Sequence, residues 1–254
     1  MLKTQQASKA FGGVQAVGGV DVEIARSHVT GVIGPNGAGK TTLMNIISGF
    51  IAPDSGQITV DGESIAGRPP HEVCRHGVAR TFQNLQMFSD MSVLEVVITG
   101  CHRHLTTPLI ASLLMLPSAR REELRAKEEA KALLRQLEVE ESYWPRRAGD
   151  LPYGLQRRVE IARALATGPG YLLLDEPAAG LNNEETTALG RTLRELARGD
   201  LGIALIEHDI ELVMNVCDRI FVMDAGKVIA FGTPDEIRGD ATVVQAYLGE
   251  AYDA

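Results

Sequence analysis

Apolar positions come in short runs near both ends of the chain and in helical stripes between them. Val29 to Ile33 reads as a buried strand that stops at Gly34-Pro35. Beyond a glycine-rich bend, Leu43, Met44, Ile46 and Ile47 recur at helical spacing over Thr41 to Ile47, closed by Ser48-Gly49. The residues before Val29 read as short β segments broken by the glycine pairs Gly12-Gly13 and Gly18-Gly19, and Gln57 to Val60 as a strand entering a turn at Asp61-Gly62. From about Asn84 to Gly149 the character is helical, and its clearest piece, Ser118 to Leu137, sets Leu124, Ala130, Leu133, Leu134 and Leu137 in one stripe among Arg, Lys and Glu. After Tyr171, buried strand and amphipathic helix alternate: Tyr171 to Leu174, Asn183 to Ala197, Gly202 to Ile206, Ile210 to Cys217. That order predicts α/β layering. Arg219 to Met223 and Val228 to Phe231 read as a hairpin across Asp224-Ala225-Gly226-Lys227, and Thr233-Pro234-Asp235-Glu236 opens a helix with a capping box and proline at its first position. No internal repeat of about 20–50 residues is visible.

Composition narrows the class. A chain of 254 residues, 44% apolar and 23% charged, buries a sizeable core as one domain or two, and excludes disorder, collagen-like repeats and a disulfide scaffold. Its 25 basic against 33 acidic side chains leave a net charge of −8, which argues against a nucleic-acid backbone as main partner. The longest apolar stretch, Leu105 to Leu116, contains a proline and two threonines and falls short of the ~20 residues that span a bilayer. The N-terminal MLKTQQASKAFGG lacks an apolar segment of the secretory kind, so the expectation is a chain that stays in the cytosol and does not cross a membrane by itself. Cys74, Cys101 and Cys217 show no CxxC spacing and read as buried or incidental thiols, and His102 and His104 as part of a solvated loop.

The chemistry starts at Gly34-Pro35-Asn36-Gly37-Ala38-Gly39-Lys40-Thr41-Thr42, which satisfies GxxxxGK[ST] between an expected strand and an expected helix. Glycines let successive backbone N–H groups turn inward onto phosphate oxygens, and the helix that follows adds its positive end. Lys40 supplies a mobile cation for the β and γ phosphates, and the Thr41 hydroxyl is placed to ligate Mg²⁺. Leu172-Leu173-Leu174-Asp175-Glu176-Pro177 offers the two carboxylates that hydrolysis requires: Asp175 at a strand end to hold Mg²⁺ through water, Glu176 to take the proton of the attacking water. Standing alone, the hexapeptide would read as a strand ending in an acidic turn; beside a phosphate loop the catalytic reading prevails.

Neither the NKxD guanine reader nor the DxxG switch of a GTPase occurs in the chain. Instead it resembles the ATP-binding subunits of ABC transporters, and in detail those of branched-chain amino-acid importers. In that resemblance Phe11 stands where an aromatic ring stacks on adenine, the alternative being a core or strand phenylalanine. Gln83, within Arg80-Thr81-Phe82-Gln83-Asn84, matches the glutamine that touches Mg²⁺ and the attacking water and marks the hinge into a helical subdomain. His208, within Ile206-Glu207-His208-Asp209, matches the switch histidine that contacts the γ-phosphate, where a lone histidine would otherwise read as structural. Leu151-Pro152-Tyr153-Gly154-Leu155 is similar to the LSGGQ signature, which closes over ATP held by a second subunit. Proline, tyrosine and leucine replace the serine, first glycine and glutamine, so one hydroxyl donor is missing at the site this segment completes. Tyr153 and Gly154 retain backbone N–H groups at a helix start. The tyrosine, Pro177-Ala178-Ala179-Gly180-Leu181-Asn182 with asparagine in place of the D-loop aspartate, and the ending Ala246-Tyr247-Leu248-Gly249-Glu250 point to the branched-chain amino-acid subfamily.

The resemblance implies an α/β P-loop NTPase (RecA-like) core of ABC type, with an N-terminal antiparallel β region and an inserted α-helical subdomain. All of 1–254 forms one ABC ATPase domain, with 1–83 and 166–254 as core and 84–165 as the helical subdomain carrying the signature. It implies ATP and Mg²⁺ as ligands and transmembrane permease subunits as partners. A second ABC ATPase completes the pair, a paralogue rather than a second copy, with a homodimer open in isolation. A periplasmic or extracellular substrate-binding protein is met only indirectly, and no nucleic acid is a partner. The place of work is the cytoplasmic face of the membrane, peripherally. The stretch from His102 to Pro117 corresponds to a subfamily insertion, which either packs on its own domain or meets a membrane partner. Rival readings are an ABC ATPase of another system, above all lipopolysaccharide export, a soluble ABC-type ATPase acting on DNA or ribosomes, and a nucleotide-binding regulator without a transport role.

Overall fold

The computed structural model describes residues 1–82, 88–104 and 117–250, which group into two compact units, Met1–Arg80 with Gly170–Ala254 and Thr81–Pro169. In the first unit β1 (Leu2–Phe11), β2 (Val14–Ile24), β4 (Ser55–Val60) and β5 (Glu63–Ser64) form an antiparallel sheet in the order β2-β1-β4-β5. A second sheet joins β3 (Val29–Ile33), β6 (Val78–Arg80), β7 (Tyr171–Asp175), β8 (Gly202–Ile206), β9 (Arg219–Asp224) and β10 (Lys227–Gly232) in the order β10-β9-β3-β8-β7-β6. Every pairing in it is parallel except that of β9 with β10. All residues of β3, β7 and β8 are buried, as strands covered on both faces must be, which is why they read as mostly apolar runs instead of alternating ones.

Helices α1 (Lys40–Ile47), α2 (Pro70–Arg75), α6 (Asn183–Ala197), α7 (Ile210–Val216), α8 (Pro234–Arg238) and α9 (Ala241–Glu250) complete this unit. Leu43, Met44, Ile46 and Ile47 of α1 share one buried cluster with Val32, Leu173, Ala204 and Ile206 of the parallel sheet and with Leu2, Val22, Ile24 and Ile58 of the antiparallel one. Apolar contact with both sheets thus fixes the helix whose first residues are Lys40 and Thr41. Capping boxes start α6, from Asn182 and Glu185, and α8, from Thr233 and Glu236 with proline at its first turn.

One expectation changes in the antiparallel sheet. Gly18-Gly19 does not break the strand: β2 runs through it from Val14 to Ile24. The pair marks a bulge, where the register with β1 shifts between Thr4 and Lys9, with Gln6 at φ 50° and Gly19 at φ 65°. Asp21 Oδ1 accepts from the Gln6 amide at 2.6 Å and so satisfies a group that the ladder leaves out.

The second unit is helical. In it α3 (Val93–Cys101), α4 (Pro117–Gln136) and α5 (Tyr153–Leu165) pack on one another. A Cβ on Gly100 of α3 would stand 2.2 Å from the Arg163 carbonyl of α5, so that crossing needs glycine. Trp144 is buried and its indole N–H donates to the Val139 carbonyl at 3.0 Å. The apolar stripe of α4 differs from the expected one: Ala126, Ala130, Leu134 and Leu137 are buried, whereas Leu124 is 56% exposed. With two helices to face, α4 buries the side on which Ala126 lies. The 102–117 insertion is described only at its two ends. Among the described residues no helix is long and apolar enough to cross a membrane.

Candidate active site

In the first unit the expected site residues gather where parallel strands end. Asp175, Ile206 and Val32 lie side by side, since β7 pairs Asp175 with Ile206 and β3 pairs Val32 with Ile206. The phosphate loop therefore leaves β3 two strands away from the carboxylates at the end of β7, with β8 and its following His208 between them. The C-terminal edge of a parallel sheet is the place where α/β proteins hold ligands, because the loops there diverge and helix N-termini face the gap.

Close backbone approach shapes the loop itself. Gly34 (φ 147°) would place a Cβ 1.9 Å from the Met223 carbonyl, and Gly39 (φ 98°) would place one 2.2 Å from the Ala16 carbonyl, so neither position accepts a side chain. At Gly37 (φ 78°) a Cβ would meet open space, and there the backbone conformation alone calls for glycine. Ala38 is buried, with its N–H donating to the Pro35 carbonyl at 3.2 Å, while Asn36 and Gly37 are exposed. Gly39 is the N-cap of α1 in the left-handed region and offers no side-chain cap, which leaves the start of that helix to the backbone. Lys40 is buried and its ammonium donates to the carbonyls of Gly34 at 2.6 Å and Pro35 at 2.8 Å. Thr41 is exposed and Thr42 half-buried.

The carboxylates differ from each other. Asp175 is buried and accepts from the Arg80 guanidinium at 2.8 Å. Glu176 is half-buried at φ 48°, an uncommon conformation for a side-chain-bearing residue, held by its own N–H donating to the Ile206 carbonyl at 2.9 Å. His208 is exposed, and its Nε2 lies 3.0 Å from Glu176 Oε1. Phe11 ends β1 at the tip of the first hairpin, 47% exposed, with the Lys9 ammonium 5.7 Å from its ring centroid. Phe11 is thus a strand residue whose ring stays outside the core. The same hairpin reaches the phosphate loop through Ala16 of β2, whose carbonyl faces Gly39. Gln83 lies outside the described residues.

Tyr153 and Gly154 belong to the helical unit, as the first two residues of α5 after Pro152, an N-cap without a side-chain bond. Tyr153 is exposed, and its hydroxyl accepts from Arg157 Nη2 at 3.2 Å one turn along the helix. Arg157 and Glu160 form a buried pair at 2.7 Å, and Arg157 also donates to the Phe82 carbonyl at 2.8 Å.

Sequence reasoning passed over two polar groups of the core unit, Arg80 and Glu207. Arg80 closes a short buried strand, and Glu207 directly follows the apolar run of β8. The signal in each case was a charged residue where the apolar pattern demands burial, since a buried charge needs partners. Both Glu207 oxygens accept backbone N–H groups, from Ala178 at 2.6 Å and from His208 at 3.2 Å, so one carboxylate joins the loop after Glu176 to the loop carrying His208. Burial pushes its pKa above the ordinary glutamate value, with the two N–H groups opposing and the charges of Glu176 and Asp209 reinforcing the shift.

The family model described as ABC transporter matches residues 17–179, and one described as branched-chain amino acid ATP-binding cassette transporter matches residues 227–253. The chain is 45% identical over 252 residues to the high-affinity branched-chain amino acid transport ATP-binding protein BraF of Pseudomonas aeruginosa, covering 99% of this chain and 98% of that one. It is 44% identical over 242 residues to LivG of Escherichia coli, with 95% and 94% covered. Among solved structures, an ATP-binding cassette of an ABC transporter in its ADP conformation superposes with a TM-score of 0.84 at 33% identity over 98% of both chains. A nucleotide-free cassette gives 0.83 at 32% identity over 97% of this chain and 98% of that one. Matched by its family model across phosphate loop and strand-end carboxylates, and by relatives over nearly its whole length, the chain belongs to the ABC transporter family of ATP-binding cassettes.

Proposed function

We propose that this ATPase powers an importer of branched-chain amino acids. Its hydrolytic part rests on one observation: the phosphate loop, Asp175, Glu176 and His208 all leave adjacent strands of one sheet, with His208 Nε2 3.0 Å from Glu176. The cargo class rests on the names of relatives 44–45% identical over nearly full length and on the C-terminal family match at 227–253.

The residues fit a magnesium nucleotide. Gly37 leaves open space on the loop, and Lys40 stands buried at its end. The oxygen donors at hand, the Thr41 hydroxyl and the Asp175 carboxylate, are the hard ligands Mg²⁺ takes alongside phosphate oxygens. Thr41 and Asp175 would hold the ion together with phosphate oxygens of the nucleotide. Bound there, Mg²⁺ would neutralise charge on the transferred phosphoryl group.

In this reading Glu176 accepts the proton of the attacking water while that oxygen bonds to the γ-phosphorus and the bond to ADP breaks. His208, touching Glu176, fixes its carboxylate and faces the γ-phosphate. Gln83 marks the hinge at the water. The exposed Phe11 ring receives adenine. Tyr153 and Gly154 act in trans, offering the N-terminal N–H groups of α5 to nucleotide on a partner ATPase. The missing signature serine makes a paralogue with a standard signature the better partner. Permease subunits at the cytoplasmic face supply the membrane helices. The closed pair has a differential affinity for ATP over ADP because the γ-phosphate bridges both halves only while intact.

Affinity purification of the tagged chain from its own membranes tests this. The expected result is a permease and a second ABC ATPase in stoichiometric amounts, with ATPase activity stimulated by a branched-chain amino acid and its binding protein. A chain that hydrolyses ATP while associating with no membrane protein would overturn the transport reading.

A further inference from the structure

Arg80 makes hydrogen bonds that the mechanism above does not use. Its Nη2 donates to Asp175 Oδ2 at 2.8 Å, and its Nη1 donates to Asn45 Oδ1 at 2.7 Å and to Ser48 Oγ at 2.9 Å. Ser48 Oγ in turn donates to the Met44 carbonyl at 2.6 Å, so its orientation is set by the helix itself. The side chains of Arg80 and Asp175 are each 5% exposed, and the guanidinium lies 6.0 Å from the Phe50 ring centroid. Asn45 is part of α1 and Ser48 caps its end, and α1 is the helix that begins with Lys40 and Thr41. One planar guanidinium therefore ties the strand end carrying Asp175 to the helix carrying Thr41. Lysine could not do so, because a single ammonium at the end of a flexible stem does not offer two fixed N–H edges to oxygens on two elements.

We propose that Arg80 is a positioning residue for the divalent metal: it occupies Oδ2 of Asp175, leaves Oδ1 as the oxygen that faces the ion's shell, and locks that oxygen against Thr41 through α1. The proposal rests on the reading of Asp175 and Thr41 as the metal-holding residues. A cation beside the carboxylate also weakens the pull of Asp175 on a bare divalent ion, so the metal arrives and leaves with nucleotide phosphates instead of residing in the protein.

The test compares nucleotide affinity with and without metal, measured as binding of a fluorescent ADP analogue in excess Mg²⁺ and in chelator. The ratio of the two dissociation constants reads the metal's contribution without any turnover. Arg80→Lys and Arg80→Met are expected to cut that ratio by on the order of tenfold, the usual scale for removing a group that orients a metal ligand, while affinity in chelator stays within about twofold. Asn45→Ala, which releases the guanidinium from α1 and leaves Asp175 its partner, is expected to lower the ratio less, and it carries the test if loss of Arg80 prevents folding. A wild-type ratio well above one that all the variants retain would overturn the proposal, as would equal weakening with and without metal, the mark of a merely structural role. A wild-type ratio of one would overturn the metal reading of Asp175 and Thr41, and this proposal with it.

Discussion

In the sheet-containing unit, Gly34, Asp175, Glu176 and His208 lie at or just past the ends of adjacent buried strands, whereas in the helical unit Tyr153 and Gly154 begin a single helix whose N-cap makes no side-chain bond. The first set inherits its spacing from sheet register: Asp175 opposite Ile206, Ile206 opposite Val32. Strand neighbours lie about 4.8 Å apart, and a slip of one residue turns every side chain to the other face, so register fixes which residues meet at the strand ends. The second set presents backbone N–H groups, which any residue but proline supplies. At the start of α5, Pro152, Tyr153 and Leu155 depart from the LSGGQ pattern and a helix forms nonetheless.

The contrast can be broken in four places. The largest effect is expected at Glu176→Gln, which should lower phosphate release by about 10²–10⁴-fold while leaving nucleotide affinity and melting temperature near wild type. Wild-type turnover would remove Glu176 as base. Next comes Leu134→Ala in α4, at 0% exposure, expected to cost about 2–5 kcal/mol in denaturant unfolding. A two-state curve for the whole chain would tie the helical unit's stability to the core, while a separate early transition would make it a unit of its own.

A smaller effect concerns Glu207. Its pKa is raised on folding, chiefly by burial, so the folded chain holds that proton more tightly than the unfolded one. The associated stability is fully present below the ordinary glutamate value and is lost as pH rises through the raised folded value. Glu207→Gln, which removes the titrating group, should gain melting temperature relative to wild type as pH climbs through that window; a difference independent of pH would contradict the assignment. The smallest effect is expected at Leu124→Ala, within about 0.5 kcal/mol because Leu124 faces solvent. A loss as large as that of Leu134→Ala would restore Leu124 to the buried stripe.

Legibility followed the range of the interactions involved. The strand, glycine loop and helix at Val29 to Ile47 could be read directly, since a buried strand is an apolar run and glycines permit the bend. The helix at Asn183 to Ala197 and the strand at Gly202 to Ile206 were legible to the residue for the same reason. Gly18-Gly19 was misread because a glycine pair marks a break or a bulge alike, and only the partner strand decides between them. Leu124 was misread because helical spacing supplies a stripe but not the azimuth of the neighbouring helices.

The sequence by itself determined the α/β order of elements, the phosphate loop, and the presence of two acidic residues and a histidine at the ends of apolar strands. Those features are local, written in residue types and spacings a few positions long. Tertiary structure decided which strands are neighbours, and hence that β8 with His208 stands between the phosphate loop and Glu176. It also decided that Arg80 and Asp175, 95 positions apart in the chain, share a buried hydrogen bond. Contacts of that kind leave no local pattern, because they arise when the sheet brings strand ends together and burial then compels each charge to find its partner.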